Sequence, residues 1–500
     1  MGIFAFIALL LPIFGGLSLF LWTPNSRKVR NTFVFTLCAI VSVMVFALLG
    51  YRYVSGDEMN LLLAVVIAGR MELALHIDGL SMVFAAIVAL LWPITNLYAF
   101  EYMSHEHGEN RFFAFFTMTY GVVLGISFSA NLFTLYFFYE LLTLCTLSLV
   151  MHEMDGKAMF AGKKYLFYSM SGAALAFISM MFVLQYGSLD FTLGGSLDAN
   201  LIGTHTTFLQ LAFLLGFFGF GVKAAVFPFH GWLPSAGVAP TPVTALLHAV
   251  AVVNAGLFAV LRVLYYNYGT ELLAGSFAQY IAMGAAVFTI VFGSAMALRL
   301  RHLKRRLAYS TISNLSYVLF AATLCTSAGL TAALLHMVVH SVLKITLFFC
   351  AGGLLCQTHH AEGGVQEYIH QYEGYGKKMP YLFATFTIAS LGLIGVPPFT
   401  GFASKWAIAA AATASGMPLA YLGCFALVCS AFLTGMYQFG VLIYAYFPAE
   451  GFDEKKLHHI SDPGWQMKTC FIFLTVLGFV LIFAMAPLSA LLTNLATGSL

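Results

Sequence analysis

The chain has 500 residues, 61% of them hydrophobic and 9% charged, with a mean hydropathy of +0.89 and a formal net charge of +3. Soluble domains carry about a quarter of charged residues, so a soluble globular fold is excluded. Transmembrane strands are excluded as well, because they need only about 10 residues of alternating polarity and the runs here are longer and apolar all round.

Runs near the ~20 residues that cross the hydrocarbon recur along the whole chain. Fourteen spans are expected, at 2–22, 32–53, 78–102, 112–130, 131–151, 160–186, 206–230, 241–266, 275–298, 307–325, 329–355, 380–413, 418–446 and 467–493. This reading is an all-α polytopic membrane protein forming one transmembrane domain over 1–500. The first run has neither a basic n-region nor a small-residue cleavage site, and reads as a retained span. Segment 54–77, with its short alternating part Arg70–His76, fits a small outer hairpin, and 188–205 is a Gly- and Asp-bearing loop. Loops 356–379 and 447–466 are too short to fold alone. The eight cysteines form no CxxC pair and read as reduced packing residues.

Charge then sets orientation. Of the 23 Lys and Arg, 17 fall in alternate connections, among them Arg27–Arg30, Lys157–Lys164, Arg299–Arg306 and Lys455–Lys468, while the opposite side receives Arg52, Arg70 and Arg262. That bias places the basic connections in the cytoplasm and both termini outside, in the cell (inner) membrane of a prokaryote. Three basic residues remain within spans, Lys223, Lys344 and Lys405, together with one acid, Glu140. A charge at membrane depth costs several kcal/mol and is usually functional.

Two spans are interrupted: the seventh by Pro228, Pro234, Pro240 and Pro242 near its end, the twelfth by Gly395-Val396-Pro397-Pro398 in its middle. Each break has a lysine nearby, Lys223 and Lys405. Five spans separate the breaks, and an odd shift reverses orientation. Spans 4–8 (112–266) and 9–13 (275–446) are therefore expected to be inverted repeats.

Glu140 lies in NLFTLYFFYELLTLCTLSL. It reads either as a structural ion pair locking two helices or as the partner of Lys223, their separation tuning the proton affinity of the lysine. His336, His340 and Lys344 stand at i, i+4 and i+8, fanning over roughly 80° of one helix face and about 12 Å. Such a ladder suits a proton or water wire; packing and a two-histidine metal site are the alternatives, although no acid or cysteine in that span completes a site. His248 follows the proline-rich turn and reads as a relay because of its nearness to the Lys223 break. His230 falls at the membrane edge, the pairs His359-His360 and His458-His459 read as solvated, and Arg299–Arg306 as a topology anchor. No nucleotide fingerprint, haem motif, catalytic triad or nucleic-acid signature is visible, so no cofactor is expected in this chain and it holds no redox site of its own.

KAAVFPFHGWLPSAGVAPTPVTALLHA, HMVVHSVLK, LKRRLAYSTISNLSYV and SLGLIGVPPFTGFASKW, in that order, closely resemble the antiporter-like subunits shared by respiratory complex I, Mrp-type sodium/proton antiporters and membrane-bound hydrogenases. The resemblance implies fourteen helices with two inverted five-helix repeats, broken at the seventh and twelfth. It pairs Glu140 with Lys223, places His248 on the eighth helix, makes His336, His340 and Lys344 a central ladder and Lys405 its terminus. Together these seven would move protons along the membrane midplane.

The implied partners are homologous antiporter-like and small membrane subunits, peripheral redox subunits and the lipid bilayer, with no nucleic acid. Two departures stand out: Asn254 where many relatives carry lysine, and a chain that stops soon after span fourteen, which favours a mid-sized, Mrp-D-like or complex-I-M/N-like subunit. His302 also replaces the acid of a DLKR-like loop. The leading function is a proton-translocating, or sodium/proton-exchanging, subunit of a larger complex; a structural membrane subunit and a stand-alone antiporter are the alternatives.

Overall fold

The computed structural model describes residues 2–22, 24, 26–56, 59–67, 71–358, 366–452, 457 and 460–498. Arg70, His359, His360, Lys455, Lys456, His458 and His459 lie outside the described residues. The principal helices are α1 (Gly2–Leu21), α2 (Arg27–Ser55), α3 (Gly79–Tyr102), α4 (Glu109–Ser127), α5 (Leu132–Val150), α6 (Gly156–Tyr186), α7 (Thr206–Gly221) and α8 (Thr241–Ala249). They continue with α9 (Val252–Arg262), α10 (Phe277–Arg299), α11 (Leu303–Ala322), α12 (Ser327–Thr358), α13 (Pro380–Ile394), α14 (Thr400–Ala414), α15 (Pro418–Tyr446) and α16 (Trp465–Ala496). The expected hairpin is present as β1 (Asn60–Ile67) paired antiparallel with β2 (Met71–His76).

Among the described residues, ten helical stretches are long and apolar enough to cross a membrane by length and composition. The other four expected spans fall on α4, α7, α11 and the α13–α14 pair, which are shorter, interrupted or more polar. Short polar residues start several helices by accepting a backbone N–H: Asp78 for α3, Asn131 for α5, Asp155 for α6 and Ser276 for α10. The most apolar part of Thr241–Tyr268 is 100% buried and that of α12 is 89% buried, against 11% for α16. The helices bearing the histidines are thus central, and α16 is a peripheral element presenting Phe479 and Phe483 outward.

Both expected breaks are present. α7 stops at Gly221, and the chain turns back through Val222–Gly231, where Ala225 sits at φ +57°. A side chain in that left-handed region costs about 1–2 kcal/mol, so the turn must be held from outside. Trp232 Nε1 donates to Val222 O at 2.8 Å and Tyr139 Oη donates to Phe220 O at 3.0 Å. α13 and α14 meet across 395–399 so closely that a Cβ on Gly401 would stand 1.8 Å from Gly392 O, which leaves room for glycine alone.

The sequence reading needs two corrections. The eighth expected span, 241–266, is itself divided at Val250–Ala251 into α8 and α9, and it ends in a π-helical turn, Val263–Tyr268. Asn254 spans that third break, its Nδ2 donating to Ala249 O at 2.9 Å. Arg262, expected in an outer connection, is fully buried: Nη1 donates to Asp78 Oδ2 at 2.5 Å and Nη2 to Asp78 Oδ1 at 2.7 Å. The rings of Phe191, Phe258 and Tyr266 surround its guanidinium at 4.5–4.9 Å. Buried charge is therefore not confined to the four residues singled out by sequence. Arg30, paired with Glu109, and both Lys304 and Arg306 are also buried.

Removing one partner of a buried ion pair strands the other charge and costs about 3–5 kcal/mol. Asp78→Ala should therefore lower the thermal stability of the protein sharply, whereas an Asp78→Leu, Arg262→Met double variant should recover much of the loss. Equal melting of the single and double variants would contradict this account.

Candidate proton-relay site

Lys223 occupies the turn that follows α7 and is completely buried. Its neighbours explain the position. A Cβ on Gly256 of α9 would lie 2.5 Å from Ala224 N and 3.0 Å from Lys223 Cβ, so α9 reaches the broken chain only because residue 256 is glycine. Lys223 Nζ donates to Tyr139 O and sits 3.4 Å from the centroid of the Tyr139 ring.

Glu140, the next residue on α5, is half-buried; one carboxylate oxygen, Oε1, is buried and has no hydrogen-bond partner. Lys223 and Glu140 influence one another electrostatically but make no ion pair within 4.0 Å. The locking ion pair considered from sequence is thus open in this structure. The structure brings the two residues to the same place, with Tyr139 holding the ammonium.

From Lys223 the line continues through α9. Two residues before Gly256, Asn254 is buried and donates to Ser341 Oγ at 2.8 Å as well as to Ala249 O. Ser341 adjoins His340 on α12. Asn254 does not titrate, but it joins the Lys223 break to the ladder helix, a role sequence reading did not give it. His248, one residue before the end of α8, stacks on Phe348 of α12 at 4.7 Å, and neither of its ring nitrogens has a protein partner.

The ladder lies on one uninterrupted helix, as expected. Lys344 Nζ donates to Ser310 Oγ and, at 3.2 Å, to Leu307 O. Both ring nitrogens of His340 are without a protein partner, and its ring is 6.4 Å from that of His336. His336 Nδ1 and Ser404 Oγ lie 3.0 Å apart, and the Tyr317 ring is 5.2 Å from that of His336. Buried polar atoms of this kind are normally satisfied by ordered water. Lys405, next to Ser404, is half-buried, and its Nζ donates to Leu393 O at 2.7 Å and Ile394 O at 3.0 Å, the free carbonyls at the end of α13.

At the basic face, a cavity of about 200 Å³ opens beside Pro240, at the start of α8, lined by Tyr102, Glu106, Glu153, Lys304, Cys356 and Glu367. Lys304 donates to Ala239 O at 3.0 Å, and burial pushes its ammonium down to about 8. Burial, with help from Glu153, raises Glu106 above the usual carboxylate range, while the hydrogen bond with His302 lowers Glu367. Arg306 donates to Tyr437 O at 2.7 Å. The run 299–306 therefore contributes two buried contacts to backbone carbonyls besides its surface charge. His230 is half-buried among Phe227, Phe292 and Tyr309 and stands apart from the ladder.

Because Gly256 brings α9 hard against the Lys223 turn, Gly256→Ala should force the two apart, lowering stability by about 1–3 kcal/mol and impairing transport with Lys223 itself intact. Unchanged thermal unfolding and transport would refute the close approach.

The model of the family described as NADH:quinone oxidoreductase/Mrp antiporter, TM, matches residues 129–434, and that of the NADH-ubiquinone oxidoreductase (complex I) chain 5 N-terminus matches residues 65–113. The chain is 31% identical over 401 residues to the NAD(P)H-quinone oxidoreductase chain 5 of Picosynechococcus sp., covering 78% of this chain and 59% of that protein. It thus spans less than two thirds of that relative. It is also 31% identical over 376 residues to NADH-quinone oxidoreductase subunit N of Desulforudis audaxviator, covering 74% of this chain and 72% of the relative.

A chain in the solved structure of the membrane-bound sulfane sulfur reductase, an archaeal respiratory membrane complex, shares the fold with a TM-score of 0.83 at 22% identity, covering 99% of this chain and 97% of that one. The match over more than half of its length shows that this polytopic membrane protein belongs to the NADH:quinone oxidoreductase/Mrp antiporter transmembrane family.

Proposed function

We propose that the chain is the ion-translocating subunit of a multisubunit membrane complex, moving protons along the midplane from the Lys223 break to the Lys405 break. One observation carries this reading: Lys223 is fully buried beside an acid that it does not touch. A fixed structural pair would close that contact, whereas a carrier of protons must open it. The remaining groups supply the path. Protons enter from the basic face by way of Glu106, Lys304 and the cavity at the start of α8, reach His248 and Lys344, and pass along His340 and His336 to Lys405. Water bridges the unpartnered imidazole nitrogens.

The two halves, 112–266 and 275–446, act as inverted repeats, a reading supported by a lysine held at helix-end or neighbouring backbone carbonyls beside each break. Both termini face outward from the inner membrane, and homologous and small membrane subunits flank the chain. The redox or gradient driving force, whether proton pumping or sodium/proton exchange, comes from those partners.

In the assembled complex reconstituted into vesicles, Lys223→Ala and Glu140→Ala should each abolish coupled proton transport, a loss of at least about 100-fold, while leaving assembly intact. Normal pumping by an assembled variant would sink the proposal.

A further inference from the structure

Each break lysine rests on a tyrosine face. Lys223 Nζ lies 3.4 Å from the centroid of the Tyr139 ring, and Lys405 Nζ lies 5.4 Å from that of the Tyr317 ring. Both tyrosines are fully buried, and each is clamped by its hydroxyl: Tyr139 Oη donates to Phe220 O at 3.0 Å, Tyr317 Oη to Ser430 Oγ at 2.6 Å. The clamps are unrelated in chemistry, one a helix-end carbonyl and the other a serine, yet both aim a ring at an ammonium that also donates to backbone carbonyls.

A ring face stabilises a cation without carrying a charge of its own, so it holds a protonated lysine while adding no titrating acid. The other ionisable group acting on Lys223 is Glu140 on α5, with Tyr136 on α5 and Tyr165 on α6 acting on Tyr139 itself; those near Lys405 are His336 and Lys344 on α12. Glu140 keeps a buried oxygen without a partner while Lys223 lies on Tyr139.

We propose that Tyr139 and Tyr317 are positioning residues whose ring faces hold Lys223 and Lys405 in the protonated state at the two helix breaks. For Lys223 the ring is an alternative resting place to the Glu140 carboxylate. The ammonium exchanges between a neutral seat and an anionic one one residue apart on α5. Lys405 has a ring and carbonyls but, among the described residues, no acid beside it, so its release of a proton depends on the ladder. This inference rests on the transport reading above.

The test compares ring with hydroxyl. In the assembled complex in vesicles, Tyr139→Phe keeps the ring while losing its clamp and should be distinctly less impaired in coupled transport than Tyr139→Leu, which should lose most of it. The alkaline limb of the Leu pH profile should move down by about one unit, and that of Phe should stay unmoved. A Leu variant with the parent profile, or a Phe variant as impaired as Leu, would overturn the proposal, the latter showing that only the hydroxyl contact with Phe220 matters. Tyr317→Phe and Tyr317→Leu make the same comparison at the second break and decide the matter where Tyr139→Leu fails to assemble. Lys223→Ala runs alongside: normal transport there would instead defeat the underlying reading.

Discussion

A helix interrupted inside a bilayer frees backbone carbonyls where water cannot reach them, and a lysine buried at the same depth needs acceptors for its ammonium. At the twelfth expected span the two needs meet directly, since Lys405 donates to the last carbonyls of α13. At the seventh the arrangement is displaced by one helix. The freed Phe220 carbonyl is taken by the Tyr139 hydroxyl, and Lys223 takes the Tyr139 carbonyl. Much of the surrounding structure exists to make such contacts possible. Gly256 and Gly401 admit backbone at distances no side chain would allow, and Trp232 closes the turn.

Around these breaks, the burial gradient assigns roles. The helices with the buried histidines, α8 and α12, are enclosed by the rest of the bundle together with α9, while α15 and α16 direct large apolar side chains outward. Enclosure makes each unpartnered imidazole nitrogen expensive, because an unsatisfied buried polar group costs ~1–3 kcal/mol. His248 and His340 each carry two such atoms. In the proposed path this cost falls on the histidines that would pass the proton.

The sequence made the membrane class, the two proline- and glycine-marked breaks and the four intramembrane charges readable, because each breaks a rule that apolar helices otherwise obey. The hairpin was readable from its alternation. The third break was not. Neither residue of the break, Val250 or Ala251, is proline or glycine, and the side chain that spans it reaches back from Asn254. Arg262 was misplaced because it borders the polar stretch YYNYGTE and its partner Asp78 lies 184 positions away in the chain. Tyr139 was invisible for another reason: one tyrosine among 24 in an aromatic-rich chain carries no pattern, and only its ring orientation against Lys223 distinguishes it.

The Arg262–Asp78 pair has a mechanical meaning for α9. It fixes the C-terminal end of this short helix to the cap of α3, while at the N-terminal end the amide of Asn254 reaches back across the interruption at Val250–Ala251 to Ala249 O. The same short helix carries Asn254, which touches the ladder helix, and Gly256, which touches the lysine turn. One buried ion pair thus fixes the element on which both contacts depend.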